Sequence, residues 1–136
     1  MGASGGGGAT GVPHPFETLA TSYFKLAQSF PLDSENRFGT RVNHRVSEVL
    51  SANPVETAEL FWQSLRQGGE VIEIDTNHGR GWIARFSDRS HVVWRPVTGS
   101  TAKYGTDMPA IDIDIKTSGQ GLPARYRIRF KKGRNA

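Results

Sequence analysis

Residues 71–97 read VIEIDTNHGRGWIARFSDRSHVVWRPV, and their alternation decides the architecture. Val71 to Asp75 is a strand candidate with Ile72 and Ile74 on one side and Glu73 on the other. Asn77-His78-Gly79 is turn chemistry, and Ser87 to Ser90 is a second turn. Between them Trp82, Ala84 and Phe86 alternate with Ile83 and Arg85. In the next run, His91 to Val97, Val92 and Trp94 oppose His91 and Arg95. A period of two broken by short polar turns reads as antiparallel strands with one buried face.

The pattern extends downstream. A Thr/Ser/Gly-rich loop spans about Thr98 to Met108, and Pro109 opens a strand in which Ile111, Ile113 and Ile115 alternate with Asp112 and Asp114. After a turn over Thr117 to Pro123, Tyr126, Ile128 and Phe130 alternate with Arg125, Arg127, Arg129 and Lys131. Upstream of Gly69 the period is 3.6. Phe16, Leu19, Ala20, Tyr23, Phe24 and Ala27 form a stripe over about Phe16 to Ser29, between Pro15 and Pro31. Val42, Val46, Val49 and Leu50 form a second over Arg41 to Ala52. A third starts at Asn53-Pro54 with Glu56 in a capping-box position, carries Val55, Ala58, Phe61, Trp62 and Leu65, and ends at Gly68-Gly69.

Helices followed by strands predict an α+β fold, with N-terminal helices packed on one face of a C-terminal four- to five-stranded antiparallel sheet. The expected covered face holds Ile72, Ile74, Trp82, Phe86, Val92, Trp94, the three isoleucines, Tyr126, Ile128 and Phe130. The opposite face then carries Glu73, Arg85, His91, Arg95, Asp112, Asp114, Arg125, Arg127 and Arg129, because a one-residue slip would bury those charges.

At 136 residues the chain is the length of one domain. Residues 1–12, rich in glycine, read as a flexible linker or cloning remnant, and 13–136 as a single domain hanging from something larger. The absence of cysteine excludes a disulfide framework, a thiol nucleophile and thiolate metal sites. No apolar run is long enough to span a bilayer, so no membrane partner is expected, and no signal peptide is visible. Residues 1–68 carry 5 basic and 6 acidic side chains and residues 69–136 carry 12 and 7, so a net −1 precedes a net +5. The sheet-forming half therefore points to a polyanionic partner.

Arginine matches phosphate geometry bidentately, so the guanidinium groups of the open face, beside the hydroxyl-rich loop Thr98-Gly99-Ser100-Thr101-Ala102-Lys103-Tyr104-Gly105-Thr106, make a candidate phosphate site. That loop lacks the Gly-Lys-Ser/Thr ending of a nucleotide-binding P-loop. The competing reading is a solvated sheet face in which Asp112 and Asp114 pair with Arg127 and Arg129. His14 and His44 read as ordinary surface residues; His78, at a hairpin tip, and His91, beside Arg95, are the acid–base candidates near neutral pH. No two histidines have metal-ligand spacing, and no metal or other cofactor is expected; Asp112 and Asp114 would bind Mg²⁺ only against the competition of nearby arginines.

The runs Val92-Val93-Trp94-Arg95-Pro96-Val97-Thr98-Gly99-Ser100, Pro109-Ala110-Ile111-Asp112-Ile113 and Arg127-Ile128-Arg129-Phe130 resemble the C-terminal toxin domains of bacterial contact-dependent and polymorphic toxin systems. Helices before an antiparallel sheet also resemble the metal-independent ribonuclease superfamily of barnase, EndoU and the colicin tRNases, although the EndoU pair of histidines plus lysine is absent. The resemblance covers roughly residues 70–132 and implies a barnase-like fold. It implies an endoribonuclease, with tRNA among the candidate substrates, that forms a 2′,3′-cyclic phosphate. It further implies secretion within a larger effector, action in a target cell's cytoplasm, and an acidic immunity protein as partner. The catalytic candidates are then His78, His91, Glu73, Arg95 and Arg129, and the substrate-binding candidates Arg85, Thr98, Ser100, Lys103, Asp112, Arg127 and Lys131. The alternatives are a non-catalytic nucleic-acid-binding module and a toxin of other chemistry such as ADP-ribosyl transfer. The last is disfavoured because no glutamate follows residue 73.

Overall fold

The computed structural model describes residues 18–104, 108–116 and 121–133. The expected linker, residues 1–12, lies outside them, as does Phe16. Helix α1 (Leu19–Leu26) is shorter than the 3.6-residue pattern suggests. It starts at Thr18, whose hydroxyl accepts the amide of Thr21 at 3.2 Å, and it buries Leu19, Tyr23 and Leu26. Helix α2 (Pro54–Leu65) follows the sequence closely: Pro54 takes the first turn, and Ala58, Phe61, Trp62 and Leu65 are buried. Val55 is exposed, and the Asn53 side chain makes no capping bond; the Ser51 hydroxyl accepts the Asn53 amide at 3.0 Å instead.

The expected helix over 41–52 is a β-hairpin, β1 (Thr40–Asn43) and β2 (Val46–Ser51). Its valines satisfy a helical stripe, but β-branched residues sit equally well on a pleated surface, and the polar Asn43-His44-Arg45 segment makes the turn. The Asn43 carboxamide oxygen accepts the Arg45 amide at 2.8 Å, and buried Arg37 donates to the Asn43 carbonyl at 3.0 Å and to that of His44. Gly39, with φ of +81°, lets β1 start there: a Cβ at this position would lie 2.4 Å from the Glu48 carbonyl oxygen.

The remaining strands are β3 (Glu70–Thr76), β4 (Gly79–Arg85), β5 (His91–Arg95), β6 (Ala110–Asp114) and β7 (Arg125–Lys132). Together they form a seven-stranded mixed sheet in the order β1-β2-β7-β6-β5-β4-β3. Strands β2 and β7 pair in parallel and all other neighbours antiparallel. This overturns the expected barnase-like four- to five-stranded antiparallel sheet: the 40–51 segment adds two strands, and β2 runs parallel to β7. The Ser/Thr loop also carries a short helix, α3 (Gly99–Tyr104).

Helix α1 packs on α2, and α2 packs on β2, β6 and β7. The core joins Tyr23 to Phe38 at 4.7 Å between ring centroids, Phe38 to Phe61 at 5.2 Å and Phe61 to Phe130 at 5.0 Å. Within it the Phe38 amide donates to the Tyr126 hydroxyl (3.0 Å), which lies 2.6 Å from that of Tyr23, which in turn donates to the Asn36 carbonyl (2.5 Å). Burial, reinforced by each phenol's neighbours for Tyr23 and opposed by them for Tyr126, pushes both phenols above their ordinary range. No helix among the described residues is long and apolar enough to cross a membrane.

One strand is turned over relative to expectation. Thr76 pairs with Gly79, so the β3–β4 loop is only Asn77-His78. Counting Gly79 in the turn shifts the pairing by one residue and exchanges the faces of β3. The true register sets Glu73 against Trp82 on the helix side, and Ile72 against Ile83 on the open side, with Ile74 against Gly81. As the outermost strand, β3 carries Glu73 beyond the helices, where it pairs with Arg80 at 3.0 Å rather than desolvating.

Candidate functional site

The open face is built in cross-strand rows. In one row Arg95 of β5 pairs with Ala110 of β6, Ala110 with Arg129 of β7, and Arg129 with Glu48 of β2. In the next, Val93 pairs with Asp112, and Asp112 with Arg127. Ala110 is fully buried and short, so the row sinks between its two arginines. The β3–β4 hairpin tip and α3 stand at the margin. The result is a pocket of about 560 Å³ lined by His78, Arg95, Lys103, Arg127 and Arg129, with Ala110, residues 76–77 and residues 97–99 completing it. Among the described residues, none that lines it is a carboxylate.

Asp112 lies beneath. Arg95 donates through Nε to its Oδ2 at 2.7 Å; Arg127 donates through Nε to Oδ1 at 2.6 Å and through Nη2 to Oδ2 at 3.2 Å. Burial alone would raise the Asp112 carboxyl; the two guanidinium groups outweigh it and hold the pKa below the ordinary carboxylate value. The same hydrogen bond, against the opposing effect of burial, raises Arg127. Binding by the Nε edges aligns both arginines, and among the described residues both Nη groups of Arg95 are left for a ligand. Arg129 gives Nη2 to Glu48 at 3.1 Å, and its buried Nε has no partner among the described residues. Three guanidinium groups thus share two carboxylates, and Lys103 adds a further positive charge to the lining.

His78 is presented by Thr76, whose hydroxyl donates to the Gly79 carbonyl at 2.7 Å and accepts the His78 amide at 3.2 Å. The imidazole lies over Gly99: a Cβ there would come within 3.2 Å of His78 Nε2. Thr98, buried, is engaged inside the protein: its hydroxyl donates to the Met108 carbonyl at 2.7 Å and accepts the Thr101 amide at 3.3 Å, so it anchors α3.

Of the residues singled out by sequence, the pocket gathers His78, Arg95, Thr98, Lys103, Arg127 and Arg129, with Asp112 as their support. Ser100 belongs to α3, and its side chain lies outside the described part of the structure. Four others lie elsewhere. Glu73 is on the opposite face. His91 sits in the row beyond Asp112, with Nε2 3.8 Å from Asp114 Oδ2, and Arg85 is its cross-strand neighbour. Lys131 is exposed on β7 opposite Leu50. Sequence reading missed Thr76, Ala110 and Glu48. The first is the last residue of β3, beside the miscounted turn, and the last was hidden in a segment read as helix.

Among the described residues no three His, Asp or Glu side chains group as metal ligands would. No protein-family model, curated protein or solved structure matches the chain, so its function is to be argued from the chemistry of this pocket.

Proposed function

We propose that this chain is a metal-independent endoribonuclease domain, with tRNA among its candidate substrates, cleaving by attack of the ribose 2′-OH on the adjacent phosphate. The observation that carries the reading is the lining of the pocket: three arginines, a lysine and a histidine, with no carboxylate among the described lining residues to repel a phosphodiester. His78 takes the 2′-OH proton as the 2′-oxygen bonds to phosphorus; the bond from phosphorus to the 5′-oxygen breaks, and Lys103 supplies the proton to the departing oxygen. Arg95, Arg127 and Arg129 hold the non-bridging oxygens as charge builds on them. The products are a 2′,3′-cyclic phosphate and a 5′-hydroxyl end. DNA, lacking the 2′-OH, is bound but not cut.

Compared with the full set of candidates, this reading drops Glu73, on the far face, and gives His91 no contact with the reacting phosphate. It retains the toxin context: release from a larger secreted effector into a target cell, and an acidic inhibitor protein that covers the cationic pocket. Incubation of total RNA with micromolar protein in EDTA is expected to give fragments ending in 2′,3′-cyclic phosphate. His78→Ala is expected to slow cleavage by about 10²- to 10⁴-fold. Intact RNA would overturn the assignment, and salt-dependent retention of uncut RNA would identify a binding module in its place.

A further inference from the structure

The inverted β3 strand leaves aliphatic side chains on a face that α1 and α2 do not cover. Ile72 pairs with Ile83, and Ile83 with Val93, so three aliphatic residues stand in one row. That row continues through Asp112 to Arg127. Ile72 is 36% exposed, and Val97, at the pocket margin, is 41% exposed. Such side chains side by side on an otherwise charged face call for a ligand more than isolated exposed apolar residues do. Adjacent strands are about 4.8 Å apart, which places Val93 and Ile83 about 5 and 10 Å from Asp112 along the row. In the neighbouring row Ile74 faces Gly81, which contributes no side chain between the isoleucine and the Arg95 strand. A Cβ on Gly81 would lie 2.8 Å from the Trp94 carbonyl oxygen, 2.9 Å from Thr76 Cγ2 and 3.6 Å from Ile74 Cγ1, so Ile74 and Thr76 close over Gly81, and Thr76 lines the pocket.

A ligand that fits both parts is anionic at one end and flat and apolar at the other. We propose that the strip formed by Ile72, Ile74 and Ile83 is a base subsite, taking the nucleobase of the nucleotide whose phosphate is held by Arg95, Arg127 and Arg129. The inference rests on the reading of the pocket as a phosphodiester site and adds where the base lies. The strip offers no hydrogen-bonding side chain, so it takes bases by area and flatness, and purines, being larger, more tightly than pyrimidines.

The test is a titration followed by NMR with three probes: inorganic phosphate, ribose 5-phosphate and adenosine 5′-monophosphate. On the unaltered protein the adenosine nucleotide is expected to bind roughly tenfold more tightly than ribose 5-phosphate, the gain of one docked base. In the double variant Ile72→Asn, Ile74→Asn, checked for folding by its thermal transition, that ratio falls to near one. Equal affinities for the two compounds on the unaltered protein, or a ratio that survives the double substitution, would overturn the base subsite. Failure of all three probes to bind would overturn the phosphate pocket with it. A tenfold preference that collapses in the variant, alongside uncut RNA, would uphold the subsite and remove only the ribonuclease assignment.

Discussion

Asp112 supports the pocket without lining it. It binds arginines from the strands on both sides of its own, so one carboxylate orients two groups that would otherwise repel. Asp112→Asn keeps the size but loses the charge. Hydrogen bonds to charged groups of this kind contribute about 1–2 kcal/mol when partly exposed. That much stability is expected to disappear in urea denaturation, together with affinity for inorganic phosphate as the guanidinium groups swing apart. Because the Asp112 pKa is lowered on folding, its contribution is present above the ordinary carboxylate range and is lost as pH falls through it. The difference between the unaltered protein and Asp112→Asn should therefore shrink below about pH 4. Gly99 acts on His78 by being small. Gly99→Ala places a methyl group 3.2 Å from the imidazole Nε2; if His78 is the base of the proposed ribonuclease, this change is expected to reduce RNA cleavage about tenfold while the thermal transition stays in place.

At the scale of elements, the structure separates what pattern reveals from what it hides. Helix α2 was legible because a proline at its start, a 3.6-residue stripe and two closing glycines agree. Strands β5, β6 and β7 were legible by alternation, and with them Arg95, Arg127, Arg129 and Asp112. The hairpin β1–β2 was not, since Val42, Val46 and Val49 suit either period; the decision belongs to tertiary partners, the β7 backbone and the Arg37 guanidinium beneath the turn. Strand β3 was placed but turned over, because a single residue assigned to the turn or to the strand reverses every side chain that follows. Glu73 was lost from the open face, and Ile72 and Ile74 were gained by it, through that one count. Gly39 tests the hairpin directly. Gly39→Ala combines an unfavourable positive φ with a methyl group 2.4 Å from the Glu48 carbonyl oxygen. It is expected to cost about 2–3 kcal/mol in chemical denaturation.

For the molecule as a whole, the buried tyrosine pair sets an upper pH limit. Both phenols titrate above their ordinary range in the folded protein, so the unfolded chain ionises first. Stability they confer is complete below about pH 10 and declines as pH rises beyond it. Urea midpoints measured from pH 9 to pH 11 are expected to fall, and to fall less steeply in Tyr126→Phe. The order of the sheet has a consequence of another kind. Strand β7 comes last among the described strands, yet it sits between β2 and β6, and the Glu48–Arg129 contact spans 81 residues. Until β7 arrives, the first hairpin and the β3–β6 meander have no shared edge, and distant pairings of this kind close slowly. The same strand brings Arg127 and Arg129. Closure of the sheet and completion of the cationic pocket are therefore a single event: until residues 125–132 are inserted, the chain has neither its continuous sheet nor two of the pocket's three arginines.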